Sequence, residues 1–386
     1  MRNLLLSFFT LTLVYANGLS LQDLQKISQQ SHQDISQYFT DKTACELMAW
    51  EQQTFPDNFL FLDKLETISV DTAKVLQNWP GRYLFLNGIS QIEPEVARYL
   101  FKWRGSTLMM NGLQQIEAVA THLYQWRGSY LSLDGITALS EESAKRIGKA
   151  SCAISLKNLK HLSPNIARLV LKKDARLVHL SGLKKISDAS LKILMKKRYT
   201  TLHLNGLTSI SPQFFVLLDN KNKTLYLNGL KHLPHTQIKS LPDWSGRELY
   251  LDQLKFLSTK TALYISHWRG IKLSLRNLEK MDLAAVEYLS QWKGYTLTLG
   301  IPKIDEATAN HLQKWTGYTL HLNNIKTLSP QALNSIVRWN GNELFMPQWA
   351  PSISQAMVLK KWNGNRLYLS PQTTPQVIKI LQRFVE

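Results

Sequence analysis

The chain has 386 residues, of which 46 are lysine or arginine and 28 are aspartate or glutamate, so its formal net charge is +18. A hydrophobic content of 44% excludes a disordered chain and one built mainly of membrane-spanning segments. A chain of this length ordinarily divides into two or three domains. An internal repeat, described below, instead predicts one extended stack of units.

The first sixteen residues predict a secretory signal peptide. Arg2 precedes an apolar run from Leu4 to Val14, and Ala16 is a small residue at the expected cleavage position. The run is too short to cross a bilayer, and this order of features is typical of a cleaved export signal. An uncleaved anchor or a buried helix is the alternative. We therefore expect an exported protein that is secreted, periplasmic or held at the cell surface.

Residues 17–58 predict an N-terminal helical cap, because Leu21, Leu24 and Ile27 follow one another at helical spacing. A degenerate first repeat would fit the same residues. A cap is needed because the first repeat would otherwise expose a stacking face and a strand edge. Cys45 lies in this segment, and Cys152 lies about four repeats further on, roughly 19 Å away at 4.8 Å per repeat. The two are therefore expected to be buried thiols and not a disulfide.

One pattern recurs every 23 or 24 residues between 59 and 370, in about fourteen copies. Each copy has a Leu-x-Leu triplet, such as Leu84-Phe85-Leu86, then Asn-Gly or a relative, and then a second apolar pair. The alternation predicts a short strand with the leucines inward, and the glycine is predicted to supply a positive φ. The fold class is therefore an α/β solenoid in which the strands form one continuous parallel sheet.

The second half of each copy predicts a helix. Trp-x-Gly closes many copies, as in Trp103-Arg104-Gly105, with the glycine interpreted as a left-handed helix stop and the indole as a stacking element. Pro164, Pro212 and Pro330 suit the first helical position, and residues 371–386 predict a C-terminal helical cap. The predicted N-cap residues are Ser69, Ser140, Ser163, Ser187, Ser211, Ser258, Asp305 and Ser329.

These units resemble the leucine-rich repeat family, nearest to its cysteine-containing subtype. The likeness is carried by segments such as 180–188, Leu-Ser-Gly-Leu-Lys-Lys-Ile-Ser-Asp, in which Leu183 stands where the subtype has cysteine. It implies a right-handed solenoid with parallel strands on the concave face and helices on the convex face, and it implies no particular activity. The asparagine ladder of commoner subtypes is not expected. Secreted animal members carry cysteine-rich caps, so their absence favours a bacterial exported protein.

The outward strand positions predict a candidate binding face. His179, His203, Tyr226 and Tyr250 occupy this position in four successive copies, so at about 4.8 Å per strand they should form a continuous ladder. Exposed aromatic rings suit sugar rings or a protein partner. The alternative is that these residues simply favour strands.

A basic edge is the second candidate. Fifteen lysines and arginines lie between Lys145 and Thr200, against Asp174 and Asp188. The copies in this region lack Trp-x-Gly. Such a cluster favours an anionic polysaccharide or glycolipid over nucleic acid in an exported protein, although solubility and helix C-termini could also explain cations. The loop residues proposed to bind are Lys172, Lys173, Lys196, Lys197 and Arg198.

No phosphate-binding loop, paired-cysteine metal site or nucleophile elbow is present in the sequence. His232 and His235 flank Pro234, which does not fit a metal-binding helix. The sequence therefore favours a non-catalytic exported scaffold, with no cofactor or metal, that binds a protein or an anionic polysaccharide or glycolipid. A structural cell-envelope component is the first alternative and an enzyme the second.

Overall fold

The computed structural model describes residues 59–384, except 151, 171–176, 197–199 and 219–222. The predicted signal peptide (1–16), the predicted cap (17–58) and Cys45 lie outside the described residues. The chain divides into two compact units, residues 1–172 and 173–386.

The described part of the first unit holds a parallel sheet of five strands in chain order. Leu60 lies opposite Leu84, and Leu84 lies opposite Leu108, so each register step is one repeat. The strands are β1 Phe59–Phe61, β2 Tyr83–Phe85, β3 Thr107–Met109, β4 Tyr130–Ser132 and β5 Ala153–Ser155. The helices are α1 Val70–Leu76, α2 Pro94–Leu100, α3 Glu117–Ala120, α4 Glu141–Ile147 and α5 Pro164–Val170.

The described part of the second unit holds a nine-stranded parallel sheet, and a two-stranded sheet of β10 and β12. The strands are β6 Leu177–His179, β7 Thr201–His203, β8 Thr224–Tyr226, β9 Glu248–Tyr250, β10 Phe256–Leu257, β11 Lys272–Leu275, β12 Lys280–Met281, β13 Thr296–Leu299, β14 Thr319–Leu322, β15 Glu343–Phe345 and β16 Arg366–Tyr368. The helices are α6 Asp188–Met195, α7 Phe214–Leu217, α8 His235–Ile238, α9 Thr259–His267, α10 Leu283–Ser290, α11 Glu306–Leu312, α12 Pro330–Ile336, α13 Ile353–Leu359 and α14 Pro375–Ile380.

Each unit is therefore an α/β solenoid of parallel strands and helices, which confirms the predicted fold class. The prediction of one continuous sheet is wrong, because the strands of the repeated triplets form a five-stranded sheet in the first unit and a nine-stranded sheet in the second. The copies that close with Trp-x-Gly share an interaction that ties neighbouring repeats together within each unit.

That interaction is a stack of buried indoles. Trp268 and Trp292 are parallel to within 7°, with ring centroids 5.8 Å apart, and the indole N–H of Trp292 donates to the carbonyl oxygen of Trp268 at 3.0 Å. From the second member of each stack onward, each indole thus packs on the indole of the preceding repeat, as predicted. Trp103, Trp315 and Trp362 also donate their indole N–H to the carbonyl oxygen of the preceding tryptophan. The stacked residues, all at most 8% exposed, are Trp79, Trp103 and Trp126 in the first unit, and Trp244, Trp268, Trp292, Trp315, Trp339 and Trp362 in the second.

The glycines are required because neighbouring groups lie close to their Cα atoms, and not because their φ is positive. The φ of Gly105 lies outside the left-handed region, but a Cβ there would lie 1.9 Å from the ring of Trp103. A Cβ on Gly112, in the turn after β3, would lie 2.1 Å from the carbonyl oxygen of Asn87. Both sequence interpretations of glycine are therefore wrong, since each glycine is required by a neighbour that approaches its Cα.

Most of the predicted helix N-caps are present. The Ser69 hydroxyl accepts from the Thr72 N–H at 3.1 Å, and equivalent bonds form at Ser140, Ser163, Ser187, Ser258, Asp305 and Ser329. Ser211 is the exception. Its hydroxyl donates to Asp188 at 2.6 Å and the helix begins at Phe214, so Pro212 is not the first helical residue either.

An asparagine and aspartate ladder, which the sequence analysis did not expect, joins successive turns. The Asn87 side-chain oxygen accepts from the backbone N–H of Asn111 at 3.0 Å, and the Asn111 oxygen accepts from that of Asp134 at 3.1 Å. In the second unit Asn228 accepts from the N–H of Asp252 at 2.9 Å. Where the residue after the Leu-x-Leu triplet is one of these asparagines or aspartates, it therefore accepts from the backbone of the next repeat.

Replacing Trp292 with alanine should lower the free energy of unfolding by about 3–5 kcal/mol, because a fully buried ring is removed and the stack is interrupted. Urea denaturation followed by circular dichroism measures this. An unchanged midpoint would contradict a stabilising role for the stack.

Gly294 supplies the matched test, because a Cβ there would lie 2.0 Å from the Trp292 ring. Gly294→Ala should destabilise the parent but add little in a Trp292→Ala background, where the obstacle is absent. Additive losses in the double variant would instead indicate that backbone conformation demands this glycine.

Candidate functional site

The predicted ring ladder is present on the outward strand face of the second unit. His179 and His203 stack with centroids 4.1 Å apart, His203 and Tyr226 are 4.2 Å apart, and so are Tyr226 and Tyr250. The planes differ by 8–12°. The four rings are half-buried, so they present their edges, and not their faces, to solvent.

Further rings stack in the same row. His321 and Phe345 are 4.1 Å apart, and Phe345 and Tyr368 are 4.0 Å apart. Between this second stack and the ladder the row contains Ser274 and Thr298, which are buried. The row thus consists of two aromatic stacks separated by two hydroxyl residues.

His203, within the ladder, is neutral at pH 7. Burial, followed by the neighbouring His179, lowers the pKa of His203 to about 4. Burial also raises the pKa of Tyr250, and hydrogen bonds to Glu248 and Tyr226 add to that rise. The Tyr250 hydroxyl donates to the Glu248 carboxylate at 3.0 Å, and the Lys272 ammonium lies 5.2 Å from the centre of the Tyr250 ring.

His321 is also neutral at pH 7. Burial, and then the charges of Lys272 and Arg276, lower its pKa to about 4, although Glu343 opposes the shift. Glu343 pairs with Arg366 at 3.5 Å and accepts from the Thr319 hydroxyl at 3.0 Å. The acids of this face are therefore engaged by neighbours on the same face.

The loops that lead from each helix to the next strand form a second surface, which we call the return edge. In the first unit it comprises residues 78–82, 102–106, 125–129 and 148–150. Backbone bonds align these loops: the Ser129 N–H donates to the Ser106 carbonyl at 2.8 Å. The segments contain no acidic residue, and their exposed cations are Arg82, Lys102, Arg104, Arg127 and Lys149.

The return edge of the second unit is also basic. Its described segments with a closing tryptophan are 243–247, 267–271, 291–295, 314–318, 338–342 and 361–365, and Asp243 is their one acidic residue. None of the ion pairs among the described residues involves a cation of the return edge. The exposed cations are Arg247, Arg269, Lys293, Lys314, Arg338 and Lys361.

The proposed basic loop residues are only partly described. Lys196 is exposed and is the C-cap residue of α6, whereas Lys172, Lys173, Lys197 and Arg198 lie outside the described residues. Lys223, directly before β8, is only 6% exposed, and burial lowers its pKa to about 8. The return-edge cations that the structure describes therefore lie mainly in the Trp-x-Gly copies on either side of the predicted basic cluster.

Two exposed tyrosines on the return edge were missed by the sequence analysis. Tyr295 and Tyr318 are 51% and 38% exposed, and their rings stack with centroids 4.7 Å apart. The sequence did contain a signal for this pair, because both tyrosines directly follow a Trp-x-Gly segment.

Cys152 is buried, as predicted. Across the described residues, no three histidine, cysteine, aspartate or glutamate side chains are grouped so as to hold a metal ion. Within that same part of the chain, no helix has the length and apolar character needed to span a membrane.

No protein-family model matches the sequence, and no curated protein matches it. Solved structures do match. An internalin from Listeria monocytogenes is 17% identical over 95% of this chain and 94% of that chain, with a TM-score of 0.40. A leucine-rich repeat protein from Leptospira interrogans is 15% identical over 90% of this chain and 98% of that chain, with a TM-score of 0.44.

A structure of the Drosophila Toll–Spatzle complex is 12% identical over 80% of this chain, with a TM-score of 0.45, and the match spans 43% of that chain. All three are repeat proteins or complexes to which the chain is similar. No ligand or partner is transferred from them, because these identities and TM-scores are too low to carry function.

The pKa values of His203 and His321 predict that stability falls in acid. The unfolded imidazoles take up a proton near pH 6.5, whereas the folded ones do so only near pH 4. The unfolded state therefore binds more protons between these values, and stability should decline as pH falls from about 6.5 to about 4. The double variant His203→Phe/His321→Phe keeps both rings and should lose less stability over this window.

Melting temperatures at pH 7.0 and 4.5 measure the difference between parent and variant. His267→Phe, which replaces an exposed imidazole at the end of α9, is the control. Equal acid losses in the parent and the double variant would contradict desolvation of the two histidines.

Proposed function

We propose that this chain is a non-catalytic, exported scaffold that binds an anionic polysaccharide or glycolipid along its return edge. The observation that supports this most is the run of exposed cations in the return edge of the first unit, where the described loops contain five cations and no acid.

Gathering like charges on one edge lowers the stability of the folded chain unless a ligand compensates the repulsion. Cations in successive loops are about one repeat apart, and the Debye length of about 8 Å at physiological ionic strength does not screen them from one another. A protein that needed only solubility would intersperse acids among them. A polymer with regularly spaced negative groups would relieve the repulsion and release counterions on binding.

The ring ladder is the second contact surface in this proposal. His179, His203, Tyr226 and Tyr250 present ring edges and hydroxyls that suit a sugar or a protein side chain. Lys172, Lys173, Lys196, Lys197 and Arg198 are proposed to extend the basic edge. A scaffold that also binds a protein through the ladder is compatible with this arrangement.

Removing edge charge should weaken binding to dextran sulfate. The triple variant Arg104→Gln/Arg127→Gln/Lys149→Gln removes three cations of the first unit's return edge, each worth about 0.5 kcal/mol, so the affinity should fall about tenfold. Calorimetric titration of the full chain at two salt concentrations measures this, and the variant should show the weaker salt dependence.

The control is Lys64→Gln/Lys157→Gln/Lys160→Gln, which removes the same charge from loops that follow strands and therefore from the opposite edge. It should change affinity by no more than about twofold if position and not net charge matters. Equal losses in the two variants would contradict an edge site. A parent chain that ignores dextran sulfate at low salt would contradict the polyanion proposal itself.

A further inference from the structure

The return edge of the second unit contains aromatic rings as well as cations. Tyr295 and Tyr318 occupy the same position in successive repeats, and their rings are parallel to within 11°. Among the large apolar and aromatic side chains of the described residues, they belong to the small group that is more than a third exposed.

The pair is held in a defined position. The N–H of Tyr318 donates to the carbonyl oxygen of Tyr295 at 2.8 Å, and that of Tyr295 donates to Ile271 at 2.8 Å. The Asn342 side-chain amide donates to the Tyr318 hydroxyl. Below them, Trp292 and Trp315 stack with centroids 6.2 Å apart. The tyrosines are therefore ordered before any ligand arrives, which reduces the entropy cost of binding.

Exposed cations lie in the same loops as the pair and in the loops of the adjacent repeats. Arg269 and Lys293 share one position of the Trp-x-Gly loops, and Lys314 and Arg338 share another. The four loops that carry them, 267–271, 291–295, 314–318 and 338–342, contain no acidic residue. The nearest acid in sequence, Glu343, is paired with Arg366. The local charge is therefore positive around an exposed aromatic surface.

We infer that Tyr295 and Tyr318, with Arg269 and Lys293, form the principal binding site for an anionic polysaccharide on this chain. The inference rests on the proposed function and locates it in the second unit. The cations would contact sulfate or carboxylate groups, and the tyrosine edges and hydroxyls would contact the sugar rings between them. The return edge of the first unit, which lacks an aromatic pair at this position, would bind through charge alone.

The stacking of Tyr295 on Tyr318 determines which class of polyanion fits the site. The tyrosines face each other, so a flat base cannot insert between them, as it does between the open rings of single-strand nucleic acid sites. The accessible surface is the line of ring edges and hydroxyls that runs along the repeats. This surface matches a chain of hydroxylated rings better than it matches unstacked bases.

Dextran sulfate and linear polyphosphate separate the contribution of the rings from that of charge. Tyr295→Ala/Tyr318→Ala in the full chain should weaken dextran sulfate binding about tenfold, as for other aromatic contact residues, and should leave polyphosphate binding unchanged. Tyr295→Phe/Tyr318→Phe retains the rings and should keep most of the affinity. Tyr124→Ala, which removes a 56% exposed tyrosine elsewhere, should have no effect.

Variants that remove equivalent cations from the two units test where the principal binding site lies. Arg269→Gln/Lys293→Gln should lower dextran sulfate affinity more than Arg104→Gln/Arg127→Gln, which removes the same two positions from first-unit copies. Equal losses, with an unaffected tyrosine variant, would overturn this inference and leave the proposed function intact. Failure of the parent to bind dextran sulfate would overturn the proposed function itself. Tighter, tyrosine-dependent binding of an oligothymidylate would assign the site to nucleic acid.

Discussion

The indole stack is the interaction on which the return edge depends. Each tryptophan lies 5.4–6.2 Å from the next in its unit, and several donate their N–H to the preceding backbone. The following glycine leaves room for the ring to fold beneath its own loop. Each of these repeats has a large buried ring, and four of them add a hydrogen bond from the indole to the preceding tryptophan, so each loop has one position relative to its neighbour.

Fixed loops explain how the edge can hold so much positive charge. Repulsion among exposed cations amounts to a small energy per pair in water, whereas removal of one buried indole would cost several kcal/mol. The stack therefore outweighs the repulsion. The surface residues between Trp and Gly, such as Arg104, Arg269 and Lys293, contribute little to stability and are free to serve another role.

The sequence predicted the period, the parallel strands, most N-caps and the buried tryptophans, because each of these follows from residues close together in the chain. It also predicted the ladder from His179 to Tyr250, because the period places those rings in one row, but it missed other contacts between repeats. The repeat pattern predicts that position 105 requires glycine. It does not reveal the reason, which is the close approach of an indole ring and not a positive φ. The Asn87–Asn111 bond and the Tyr295–Tyr318 stack join residues 24 and 23 positions apart, and only the stacking of repeats brings them together.

The two candidate surfaces differ in what they leave available to a ligand. On the strand face the rings use their faces on one another, Lys272 lies over Tyr250, and Glu343 is engaged by Arg366 and Thr319. Much of the interaction energy that the groups of the strand face could offer a ligand is therefore already used in contacts within the protein. On the return edge the exposed cations have no ion pair among the described residues, and Tyr295 is half exposed. A charged ligand gains most where the protein has not already satisfied its own groups, and for this reason we propose that the return edge, and not the strand face, contributes most of the binding energy.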